Sequence, residues 1–155
     1  MTGTTAPTPS VRAHQVVAPA HERSHRRAVI RWAMANGRPV HRDPLAALIG
    51  ARAAALGSVA TVDGASIWTA PDVGALLWVG VADWCAAHGA DLPPSDQVSD
   101  TLGTYLRYLS AHRLLAAGSD PVAALRRAVT EYGGSVPRSA AHPSLRRPAP
   151  VLPLA

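Results

Sequence analysis

Between residues 22 and 134 apolar side chains recur every three to four positions, the period of helices buried along one face. The clearest stripe is Val98, Leu102, Tyr105, Leu106 and Leu109, and punctuation residues divide the rest. The pattern predicts five helices. The first runs from Glu22 to Ala35 and stops at Asn36-Gly37. The second has Asp43 as N-cap and Pro44 at the first helical position, and reaches Gly57. In the third, Thr69 and Asp72 have capping-box spacing and lead into PDVGALLWVGVADWCAAHG. The fourth follows Pro93-Pro94 with Ser95 as cap and extends to Ala117, before Gly118. The fifth opens at Asp120-Pro121, places Val122, Leu125, Val129 and Tyr132 on one face, and halts at Gly133-Gly134.

Between the second and third helices lies VATVDGASIW, where Asp63-Gly64 suits a tight turn. Residues 59–68 therefore read either as a short β-hairpin or as an irregular loop. The third helix is apolar almost all round, with Val73, Leu76, Leu77, Trp78, Val79, Val81, Trp84 and Cys85. Such a helix is central to its domain or half covered by a partner, with Trp78 and Trp84 as anchors. The expected fold is all-α, a compact bundle of about five helices organised about the segment carrying Trp78 and Trp84.

The ends read differently. Residues 1–20 are rich in Pro, Thr and Ala, and residues 135–155 in Pro and Arg, with too little large apolar surface to offset ordering entropy. Both are expected to be disordered tails around one helical domain at 21–134. Charge follows the same division. Residues 1–42 hold seven arginines against Glu22; residues 43–134 hold five arginines against eight Asp and Glu131; residues 135–155 hold three arginines and no acid. A mildly acidic body at 43–134 thus sits between basic flanks. Every one of the fifteen cationic residues is Arg, which GC-rich codons favour without any functional selection.

The single cysteine, Cys85, excludes an internal disulfide framework, and the longest apolar run, Val73–Ala82, is half the length of a bilayer span. The chain reads as cytoplasmic and not membrane-bound, with no cofactor implied: it shows no Gly-rich phosphate loop, no nucleophile elbow and no paired catalytic carboxylates.

Three groups remain as candidate chemistry. Cys85 and His88 stand three apart, the spacing of a Cys–His nucleophile or of two zinc ligands, though no second cysteine completes a zinc set. His21-Glu22-Arg23-Ser24-His25 matches the H-E-x-x-H string of zinc proteases, with His14 nearby. Here it borders a basic tail rather than a buried apolar helix, so no metal site is assigned. The segment HERSHRRAVIRW repeats Arg23, Arg27 and Arg31 every four residues, with Arg26, Arg38 and Arg42 flanking them. This makes a cationic helix edge suited to nucleic-acid phosphates. Helices four and five, joined at Gly118-Ser119-Asp120, have helix-turn-helix order, but the fifth opens on Asp-Pro and lacks base-reading groups there. Arg147, Pro150 and Pro153 have the R-x-x-P-x-x-P spacing of a polyproline ligand.

The stretches LLWVGVADWCAAHGADLP and AAGSDPVAALRRAVTEYGG resemble small helical proteins of high-GC actinobacteria, over residues 25–134. That resemblance implies no activity and carries over no functional residue. The leading expectation is a non-enzymatic accessory or regulatory protein acting through protein contacts or as a homodimer. The alternatives are nucleic-acid binding by the 21–42 arm and, last, a metal- or thiol-dependent enzyme.

Overall fold

The computed structural model describes residues 20–56 and 66–135, which form five helices and no strand. These are α1 (Ala20–Ala35), α2 (Arg42–Leu56), α3, α4 (Ser95–Ala111) and α5 (Val122–Ser135). Helix α3 has three consecutive parts: α-helical Ala70–Ala75, a π-helical turn Leu76–Gly80, and α-helical Val81–His88. The all-α bundle is as the periodicity predicts. The Asp63-Gly64 turn, the polyproline-like motif, His14 and almost all of both tails lie outside the described residues.

Helix α4 forms the centre. It packs on α1, α2 and α5, while α3 packs on α2 and α5. The whole predicted stripe of α4 is buried, together with Thr101, Thr104 and Tyr108. Around it gather Val29, Leu45, Leu48, Val73, Leu77, Val81, Cys85, Leu125 and Val129.

The buried tryptophan is Trp68, at 1% exposure; the segment carrying Trp78 and Trp84, about which the pattern centres the bundle, gives Val73, Leu76, Leu77, Val81 and Cys85 to the core but not its tryptophans. Trp78 is 54% exposed and Trp84 is half-buried. Trp68 sits just before α3, in a segment bound on two sides. The Arg52 guanidinium lies over its indole at 4.3 Å, donates to the Ile67 carbonyl and pairs with Asp72 at 3.5 Å. On the other side the Trp68 N–H donates to Ser119 Oγ (3.1 Å), and the Trp68 carbonyl accepts from the Asp120 N–H (2.8 Å). Ser66 makes an isolated parallel bridge with Leu115. Residues 66–68 are thus tied to the α4–α5 connection.

Several helix boundaries differ from expectation, among them the start of α4, where Ser95 lies inside the helix and makes no capping bond. Helix α2 begins at Arg42, because the Leu45 N–H already bonds the His41 carbonyl and the His41 N–H is held by Thr101 Oγ1; Asp43 therefore lies in the first turn. Helix α4 ends at Ala111 rather than Ala117. Its terminus is a Schellman closure, with the Leu114 N–H on the Leu109 carbonyl (2.8 Å) and Arg113 in the left-handed region at φ 56°. The α4–α5 connection therefore spans residues 112–121, too long for a helix-turn-helix, and Asp120 serves α3 instead, accepting from the Ala70 N–H at 2.7 Å. The Thr69–Asp72 capping box forms as predicted, its Thr69 N–H to Asp72 Oδ2 bond 2.8 Å long. Gly133 lies inside α5, where a Cβ would strike Ser99 of α4, so it provides close packing and does not end the helix.

The π turn has a geometric cause. Among the buried positions of α3, Val73, Leu77, Val81 and Cys85 are spaced by four, with Gly74 and Leu76 beside them. In a regular helix each such step drifts about 40° around the axis. One wide turn takes up part of that drift and keeps the four facing the core, which leaves Trp78 and Val79 outside.

Arg113 is the one non-glycine residue with positive φ among the described residues. That conformation costs an ordinary side chain about 1–2 kcal/mol, and the greater freedom of glycine in the unfolded chain returns about 0.4–1 kcal/mol. Arg113→Gly should therefore raise stability by somewhat under about 1 kcal/mol. A urea midpoint that does not move, or that falls, contradicts the Schellman assignment.

Candidate functional site

Five of the six arginines proposed for phosphate contact come together. Arg23, Arg26, Arg27, Arg31 and Arg42 line one shallow groove of about 730 Å3, with Ser24, Ile30 and Met34. The α1 arginines repeat at helical spacing because Val29 and Ala33, on the opposite face, are fully buried against the bundle. Arg42 joins them at the first turn of α2. Arg27, Arg31 and Arg42 are exposed, and Met34 is 74% exposed beside them. No acidic residue is among the described residues lining the groove; Glu22 lies outside it, 4.0 Å from Arg26.

Arg38 stands elsewhere. Gly37, at φ 59°, turns the chain after α1, and the Thr104 hydroxyl catches the Pro39 carbonyl at 2.6 Å. That places Arg38 in a second groove, between α4 and α5.

Comparison with protein-family models, curated proteins and solved structures finds no match to this chain.

The other candidate pairs are not brought together. Cys85 is buried, its thiol pushed above the usual range by loss of solvent. His88 turns away from it: its ring stacks on Trp84 at 4.3 Å and Nδ1 donates to the Trp84 carbonyl. In the H-E-x-x-H string, Glu22 pairs with Arg26 and His25 Nε2 shares a 3.0 Å hydrogen bond with the Tyr105 hydroxyl. Among the described residues no three His, Cys, Asp or Glu side chains gather as metal ligands would. No described helix is long and apolar enough to cross a membrane.

Of the expected interface anchors, Trp84 rests on α2 over Gly50, where any Cβ would collide with the indole. Trp78 donates its indole N–H to the Tyr132 carbonyl (3.2 Å) and meets the Tyr132 ring edge-on. The rest of its face is open, next to Val79 at 55% exposure.

The sequence pattern gave no sign of an aromatic and imidazole cluster that seats α1 on α4. His25 meets Tyr105 and Tyr108 edge-on at 5.7 and 5.6 Å, Trp32 meets Tyr108 at 5.8 Å, and His112 tilts over Tyr108 at 4.2 Å. The residues are 76 to 83 positions apart in three of these four contacts, and their only local signal was that α1 carries Trp32 on its apolar side. Burial, and then the nearby His112, lower the His25 imidazole from its usual value. Burial also raises the Tyr105 hydroxyl, so it stays protonated as a donor.

The consequence for stability has a definite sign. A histidine whose folded value lies below the unfolded one, about 6.5, binds its proton more readily in the unfolded chain. Stability is intact above that pH and declines as the pH falls from about 6.5 towards the lowered folded value. The melting temperature should therefore drop between pH 7 and pH 5, and His25→Phe should lessen the drop by removing the imidazole while keeping ring contacts. An equal drop in the variant rules out His25 as its source.

Proposed function

We propose that this protein binds nucleic acid through the arginine-lined face of α1 and the first turn of α2. The observation that carries the reading is the gathering of Arg23, Arg26, Arg27, Arg31 and Arg42 along one open groove with no acid among its lining residues. Arg23, Arg27 and Arg31 follow the helix axis at intervals of about 6 Å. A row of guanidinium groups suits a run of phosphates better than a single anion, and it releases counterions when occupied. The groove is shallow and all its charged lining residues are arginines on one helix face and the next helix start, an arrangement suited to contact along a phosphate backbone, with weak sequence preference. Exposed Met34 and half-buried Ile30 add apolar surface beside the charges.

Binding to a short duplex, followed by fluorescence anisotropy, should weaken steeply as salt rises. Replacing exposed Arg27, Arg31 and Arg42 together by Ala should flatten the slope of log K against log salt by about 2–3, near 0.9 per lost phosphate contact. Affinity indifferent both to salt and to the triple substitution would reject the reading.

A second reading, contact with another protein or a second copy, draws support from Trp78 and Val79. Both are more than half exposed, and Val79 borders a mainly apolar groove of about 490 Å3 between α2 and α3, lined by Ala54, Ala55, Ala75, Leu76 and Trp84 and edged by Arg52, Asp72, Asp83 and His88. On this reading the protein associates with rising concentration in light scattering, and Trp78→Ser with Val79→Ser keeps it monomeric. A wild-type protein monomeric at every concentration, with pulldowns returning nothing, counts against it.

A further inference from the structure

We infer that Arg38, Arg107 and Arg126 form a second, separate site, for a compact phosphate-bearing small molecule. The three residues come from the loop after α1, from α4 and from α5, and they line one groove of about 510 Å3. Their convergence is built into the fold. The Thr104 hydroxyl fastens the Pro39 carbonyl to α4 one turn from Arg107, and Gly133 lets α5 lie close against Ser99 of α4. The groove's volume falls within the range of about 300–1,000 Å3 usual for small-ligand sites.

Three like charges held together ordinarily acquire carboxylate partners. Among the described residues none of these three arginines has one. Loss of solvent first, and then the nearby charges of Arg126 and Arg38, lower the Arg107 guanidinium. An anion with several oxygens relieves that repulsion, and each guanidinium offers a planar fork of donors to it.

The groove also limits what can enter. Asp96 and Asp100 line it too, seven and eleven residues before Arg107 on α4, or about 10–16 Å along the axis. A nucleic-acid strand following the groove would bring phosphates against these carboxylates. A short ligand with its phosphates at the arginine end and hydrogen-bond donors or a positive charge at the other end meets both. The charge reversal within one groove separates this site from the uniformly basic face of α1, and the inference does not rest on that face binding nucleic acid.

The test uses the full chain and inorganic diphosphate, by titration calorimetry at constant ionic strength, with sulfate as control. Expected is saturable binding of diphosphate, tighter than sulfate, that weakens about tenfold or more in Arg107→Ala/Arg126→Ala, as loss of charge-assisted bonds requires. Arg38→Ala, on an exposed loop, should weaken it too, so the result does not depend on the double variant folding. Asp100→Asn should tighten it. The Arg27/Arg31/Arg42 triple variant should bind diphosphate as the wild type does, even if it loses duplex binding. Diphosphate binding that is absent, that matches sulfate, that survives loss of Arg107, Arg126 and Arg38, or that is lost only in the α1–α2 triple variant overturns the assignment.

Discussion

The bundle depends on how the Trp68 indole is held. A tryptophan at the edge of a poorly regular segment has no helix of its own to fix it, yet Trp68 is almost wholly buried. Its place is determined by Arg52, whose guanidinium covers the ring and reaches both the Ile67 carbonyl and the Asp72 carboxylate. Asp72 in turn closes the capping box with Thr69, so the same carboxylate starts α3 and holds the arginine. Arg52 is itself largely buried, and the cost of desolvating its charge is offset only while those partners remain. One guanidinium thereby joins α2, the start of α3 and the largest buried side chain, and Ser119 and Asp120 add the α4–α5 connection from the far side.

That arrangement explains which parts of the fold were legible from sequence. Several signals contained within a few residues appear where the pattern places them: the stripe of α4, the capping box at Thr69, and the glycine stops after α1 and α3. Others do not, since the helices run through the expected Asp43 and Ser95 caps and the Gly133-Gly134 stop where tertiary packing continues them. Signals that depend on a partner far along the chain were not. Nothing near Arg113 marks a helix end, because the residue in the left-handed position is an arginine where glycine is usual. Nothing near Trp68 distinguishes it from Trp78 and Trp84, since its burial comes from Arg52 and Ser119, 16 and 51 residues away. Counting apolar residues favoured α3 as the centre, but the drift of a four-residue repeat and its π turn put Trp78 on the outside.

The candidate site was legible to a similar degree. Arginines four apart on one helix had to share a face, and they do. Arg38 was grouped with them because it is close in sequence, yet the left-handed Gly37 and the Thr104–Pro39 hydrogen bond send it to another groove. Its companions there, Arg107 and Arg126, lie within residues 43–134, a stretch that is acidic in net charge. A net charge summed over that stretch hides a local cluster of three. Helical pattern predicts faces, whereas clusters of this kind depend on which faces meet.

The two arginine groups therefore ask for different chemistry although they contain the same side chain. On α1 the guanidinium groups form a row along an open surface, so in the proposed contact with nucleic acid each would neutralise a phosphate nearly independently, screened by salt. Between α4 and α5 they converge from three elements on one volume, where charges act on the same few oxygens and Asp96 and Asp100 bound the space. A chain that uses only Arg for positive charge cannot show this distinction in its composition. It arises from the separation of the groups: spacing along one axis favours a polymer, and convergence from three directions favours a compact anion.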